Sequence, residues 1–184
     1  MGGRNDATLP DMWDDVTDAL VWLQKSDLLH EKQFIFGGYS SGGHVAATLL
    51  HRPHLWRAKG LELTRLDGVL YLSAVLAVEQ WNDHSMWLAN LIRTTVFGNA
   101  VLPTPLHEVQ SGQRAPPKIP HLLIGCRHEV FGLPYMDVLF ASAPYAQQVG
   151  GKYVAVESDH WRVLNSRALA EALRMHMDVF GKKE

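Results

Sequence analysis

One stretch constrains this chain more than any other: Phe34-Ile35-Phe36-Gly37-Gly38-Tyr39-Ser40-Ser41-Gly42-Gly43-His44-Val45-Ala46-Ala47. A β-branched and aromatic run leads into Gly38-Tyr39-Ser40-Ser41-Gly42, a Gly-x-Ser-x-Gly turn, and small residues suited to a helix start follow at once. That strand–turn–helix setting is what turns the pattern into a nucleophile elbow, with a serine exposed on a strained backbone. Side chains two residues before and two after such a serine are expected to collide, which asks for glycine at both places. Ser40 meets this with Gly38 and Gly42, whereas Ser41 has Tyr39 two residues before it. The Ser41 backbone N–H falls at a helix N-terminus, where a developing oxyanion would be stabilised. The plain alternative is a strand-to-helix glycine turn without chemistry.

The rest of the chain supplies a matching frame. Pro10 and Asp11 are expected to open a helix, since proline suits the first turn and aspartate the positive end of the dipole. Met12, Trp13, Val16, Ala19, Leu20 and Leu23 recur at helical spacing and give it one apolar face. Strands are expected at Lys32 to Tyr39, Gly68 to Ser73, His121 to Gly125 and Lys152 to Val156. Helices are expected from Gly42 to about His51, ended by Pro53, from Met136 to Val149, and from Ser166 to Phe180. In the last of these, Leu169, Ala172, Leu173, Met177 and Phe180 form the inner face. Near-continuous apolar strands alternating with helices predict an α/β fold: about four parallel strands with helices on both faces. The irregular stretch 75–119 holds Trp81, Trp87, Leu88, Leu91 and Ile92 at helical spacing. It reads either as a lid or cap over a site, or as a stripe packed on the sheet edge.

Composition narrows the function classes. At 184 residues, 47% hydrophobic and 20% charged, the chain has room for one domain with a proper core. A net charge of −2 without a basic stripe argues against nucleic acid or an anionic membrane as partner. The longest apolar runs fall far short of the ~20 residues that span a bilayer. The single cysteine, Cys126, allows no intrachain disulfide, and no signal peptide is visible at the start, so a cytoplasmic location is expected. No His-Glu-x-x-His, paired zinc-type spacing, EF-hand loop or phosphate-binding glycine loop occurs, so neither a metal nor a cofactor is expected.

A serine hydroxyl becomes a nucleophile only when a base takes its proton, and the base needs a third group to orient it. Behind an elbow of this kind the chain order is serine, acid, histidine. The acid belongs just past the third strand and the histidine just past the fourth. Glu129 follows Ile124-Gly125-Cys126-Arg127-His128, and His160 follows Val156-Glu157-Ser158-Asp159. Among ten histidines, His44 lies inside the elbow helix and His128 sits beside the acid, so each has another role open to it. Asp137 and Asp159 are the rivals of Glu129. Asp137 would lie within a helix, and Asp159 would have to fold back to reach the adjacent imidazole.

With these residues in place the chain resembles the α/β-hydrolase superfamily, and most of all its esterase/lipase branch. That branch includes hormone-sensitive-lipase-like carboxylesterases, kynurenine formamidases and prenylcysteine methylesterases. The likeness runs from about Leu9 to Phe180. It is carried by the helix ending in Trp22-Leu23, the elbow with Gly43-His44, the loop around Glu129, and Ser158-Asp159-His160. The resemblance implies Ser40 as nucleophile, His160 as general base and then acid, and Glu129 as the residue that orients the imidazole. It implies hydrolysis of a small carboxylic ester, or of an amide or formamide with the same residues. A non-catalytic relative serving as a binding or dimerising module is the alternative from another class.

The front of the chain departs from that pattern. Relatives have about four more strands and a His-Gly-Gly-type loop that gives a second oxyanion donor, whereas no His-Gly-Gly occurs here. The sequence is therefore expected to correspond to the C-terminal half of such a domain, a single partial domain over 1–184. The strand ending at Tyr39 is then expected at a sheet edge, prone to self-association. Activity of the chain as given is expected to suffer from the missing donor.

Overall fold

The computed structural model describes residues 8–26, 33–77, 104–129 and 141–181. Helix α1 spans Leu9–Lys25 and starts on a capping box. The Asp11 N–H donates to the Thr8 hydroxyl at 3.4 Å, and the Thr8 N–H donates to the Asp11 carboxylate at 2.6 Å. Thr8 is thus the cap, and Pro10 lies inside the first turn. Then follow β1 (Phe34–Tyr39), α2 (Ser41–Leu50), α3 (Pro53–Ala58), β2 (Leu66–Leu72), α4 (Pro105–Gln110), β3 (His121–His128), α5 (Ser142–Val149), β4 (Lys152–Asp159) and α6 (Arg167–His176).

The strands form one parallel sheet in the order β1-β2-β3-β4, with β1 at one edge of the described sheet as expected. Alternate residues of the inner strands feed two cores. Val69, Tyr71 and Leu123 pack with Leu20, Leu49, Leu50, Trp56 and Tyr145 from α1, α2, α3 and α5. Leu122 and Ile124 pack with Val156, Leu169, Ala172 and Phe180 on the opposite face. Both faces are covered, which is why the central strands are apolar at nearly every position.

Pro53 does not merely end α2. It opens α3, where its missing N–H costs no helix bond, and so delivers Trp56 to the core. The Trp56 indole is fully buried, donates to the Leu49 carbonyl at 3.1 Å and meets Phe36 edge-on at 5.1 Å. β3 and β4 extend past Gly125 and Val156 to His128 and Asp159, because their polar tails still pair with each other. Exposed Arg127–Glu157 and His128–Glu157 pairs at 3.2 and 3.1 Å line that extension. A register irregularity between Cys126 and His128 falls just before Glu129. Met177, expected on an inner face, is exposed, since α6 gives way there to a 3₁₀ turn that changes the phase and returns Phe180 to the core.

The expected helix through Trp81, Trp87, Leu88, Leu91 and Ile92 lies outside the described residues, as do Asp137 and the start of the expected Met136 helix. From the stretch 75–119, α4 is packed inward, with Leu106 and Glu108 buried. Glu108 accepts from Arg52 at 2.7 Å and from the His51 Nδ1–H at 2.9 Å, while the Tyr145 hydroxyl donates to His51 Nε2 at 2.8 Å. Arg52 also lies 4.3 Å over the Trp13 ring. Burial works to raise the Glu108 pKa, but His51 and Arg52 outweigh it and hold the carboxyl below its ordinary value. The network ties α1, α2, α4 and α5 into one block.

Candidate active site

β1 ends at Tyr39 and α2 begins at Ser41, so Ser40 alone makes the turn between them. It sits at φ 53°, ψ −124°, a conformation that costs a non-glycine residue about 1–3 kcal/mol. Backbone bonds from both sides hold it there: the Ser40 N–H donates to Leu72 O at 3.0 Å, and the Val75 N–H donates to Ser40 O at 3.2 Å. The collision expected at both elbow glycines occurs at only one of them. A Cβ on Gly38 would lie 2.4 Å from the Gly42 backbone, whereas a Cβ on Gly42 would meet nothing within 4 Å. The tight passage is between the strand end and the helix backbone, and of the two glycines that flank Ser40 it is Gly38 that points into it.

A serine at a helix N-cap ordinarily spends its hydroxyl on the helix. Ser40 makes no such cap bond, and its Oγ lies 3.0 Å from His160 Nε2. His160 Nδ1 lies 3.2 Å from Glu129 Oε2, and Glu129 Oε1 accepts the Cys126 N–H at 2.8 Å. With a carboxylate at Nδ1, that nitrogen carries the proton and Nε2 is free to accept from the serine hydroxyl. Glu129 and His160 are 3% and 4% exposed, so the pair is shielded from water. Glu129 is the first residue after β3 and His160 the first after β4, where the sequence order placed them. Ser41 opens α2, so its N–H belongs to the first turn, whose donors have no intrahelical acceptor.

Among the described residues the competitors are employed elsewhere. Asp159 accepts the Trp161 and Arg162 N–H groups, each at 2.9 Å. It builds the turn that presents His160, a role the Asp-His-Trp-Arg run signals only once it is known to follow a strand. His44 is fully buried against the Val75 carbonyl at 3.0 Å, and burial pushes its pKa down to about 4. His128 is exposed and bonded to Glu157 at 3.1 Å. The Cys126 thiol, 3.2 Å from Ser73 Oγ, is pushed up to about 11 by burial and stays protonated. Among the described residues no group of three His, Cys, Asp or Glu side chains is placed to hold a metal ion.

No family model matches the chain, and no curated protein matches it. Solved structures do. Esterase B from Lactobacillus rhamnosis, in a complex with a tributyrin phosphonate, superposes with a TM-score of 0.65 at 14% identity, over 97% of this chain and 63% of that one. A Pyrococcus furiosus esterase gives 0.59 at 15% identity, over 97% and 64%. An esterase/lipase from an uncultured bacterium gives 0.57 at 17%, over 96% and 60%. The chain has the α/β-hydrolase fold. It spans less than two thirds of the length of these α/β-hydrolases. Their esterase names describe them, and at such identities the likeness extends to the fold. Among the described residues no helix is long and apolar enough to cross a membrane.

Proposed function

We propose that this α/β-hydrolase chain cleaves carboxylic esters through an acyl-serine intermediate. The observation that carries the reading is the continuous bonding from Ser40 Oγ to His160 at 3.0 Å and on to Glu129 at 3.2 Å. In acylation, Ser40 Oγ attacks the ester carbonyl while His160 Nε2 takes the serine proton. Charge on the carbonyl oxygen is stabilised by the Ser41 N–H and the positive end of α2. Glu129 keeps the imidazole in the required tautomer and balances the imidazolium. Collapse of the tetrahedral intermediate breaks the C–O bond to the alcohol, which leaves with the proton from His160. Water, activated by the same imidazole, then releases the acid and restores Ser40.

A fluorophosphonate probe tests this directly. Labelling of the full chain at Ser40, found by mass spectrometry of its peptide and lost in Ser40→Ala, is the expected result. A chain that takes up no probe would be a binding module on a hydrolase fold. Further parts of the reading are a cytoplasmic location and pairing of a second copy of the chain along the outer edge of β1. Sedimentation velocity of the same sample is expected to show concentration-dependent dimers.

A further inference from the structure

We infer that Tyr39 is a positioning residue that holds the His160 imidazole over the nucleophile, an inference that rests on the hydrolase reading above. β1 and β4 are separated by three strand spacings, about 14 Å. The turn after β4 must therefore carry His160 across β3 and β2 before its ring reaches Ser40. Glu129 meets the ring at Nδ1 from β3 and Ser40 meets it at Nε2, both in or near the plane of the ring. Tyr39 adds a contact to the face of the ring and one to the backbone, from the strand that carries the nucleophile. Its ring stacks on the imidazole with centroids 5.0 Å apart and planes 27° from parallel. Its hydroxyl donates to the main-chain carbonyl of His160.

Ring and backbone of the base are thus both tied to the residue next to Ser40, so strand, nucleophile and base keep one geometry. Trp161 touches the imidazole edge-on at 5.3 Å, but it is 66% exposed and brings no anchor from another element. Burial raises the Tyr39 pKa above its ordinary value, so the phenol remains an O–H donor across the neutral range. Below the ring, Tyr39 packs with Ile35, Leu70 and Leu72 against the α6-side core. Leucine at this position would retain apolar packing while removing both contacts to His160, and phenylalanine would remove the hydrogen bond alone.

The test uses the 184-residue chain and two readouts. In Tyr39→Phe the fluorophosphonate labelling rate is expected to fall about threefold to tenfold. In Tyr39→Leu it is expected to fall about 10²-fold, the scale of a 1 Å misplacement. In parallel, the imidazole Cε1–H resonance of His160, assigned with His160→Gln, is followed by proton–carbon correlation spectra. The Phe variant should keep its ring-current shift, and the Leu variant should lose it. If the shift is the same in wild type and both variants, or if both label at the wild-type rate, Tyr39 does not position the base. A wild-type chain that never labels, yet shows the shift and its loss, would overturn the ester-hydrolase reading and leave the Tyr39–His160 contact established. A Leu variant that does not fold leaves the Phe rate to decide, and a Phe variant as fast as wild type would then overturn the inference.

Discussion

Ser40→Ala, His160→Ala and the double variant are expected to lose nearly the same activity toward a short-chain p-nitrophenyl ester, on the order of 10⁴–10⁶ in kcat. The reason is the bonding order at the site. Without the imidazole at 3.0 Å the hydroxyl keeps its proton, and without the hydroxyl the imidazole has nothing to activate. Each deletion removes the same event, so a second deletion removes little more. Glu129→Gln is expected to cost about 10⁴, because an amide can hold the ring in the wrong tautomer while still accepting the Cys126 N–H. The measurement is kcat for the four variants beside wild type. Losses that multiply in the double variant would mean that Ser40 and His160 act independently, and the assignment would fail.

Stability should fall steeply in mild acid. His44 is fully buried in α2, and His121 is buried at the start of β3 with its ring stacked on Tyr71 at 6.1 Å. Burial is the main cause that pushes each imidazole from 6.5 down to about 4. Between those values the unfolded chain binds protons that the native chain does not, so the equilibrium shifts toward unfolding as pH falls. The contribution is complete above 6.5 and is lost progressively down to about 4, roughly 3 kcal/mol for each histidine. Glu108, whose carboxyl is held below 4.5, adds a loss of the same sign at more acid pH, so the histidine effect is read above pH 5. Urea midpoints from pH 7.5 to 5 should drop. A His44→Gln/His121→Gln variant, even if less stable at pH 7.5, should show a flatter slope. A wild-type midpoint that does not move over this range would place the protons elsewhere.

Much of the site was legible because each of its parts sits at a strand end. Parallel strands in an α/β sheet put their carboxyl ends on one side, so residues far apart in sequence converge if each directly follows its strand. Ser40, Glu129 and His160 do so, and apolar runs of four to eight residues mark strands reliably enough to find those ends. The extensions of β3 and β4 into polar residues were not legible, since backbone pairing between His128 and Asp159 carries no hydropathy signal. Nor was helix α3, opened by Pro53, which reads as a terminator and as an N1 residue alike.

By itself the sequence determined the elbow, the chain order of the three site residues and the alternation of strand and helix, because these depend on local backbone preference and on hydrophobic period. Tertiary structure alone decided which glycine the elbow needs, that Asp159 builds the His160 turn instead of orienting the ring, and that Tyr39 lies against the imidazole. Those outcomes depend on close approach between β1, α2 and the ends of β3 and β4. Such approach is set by register and packing across the sheet, to which spacing along the chain is blind.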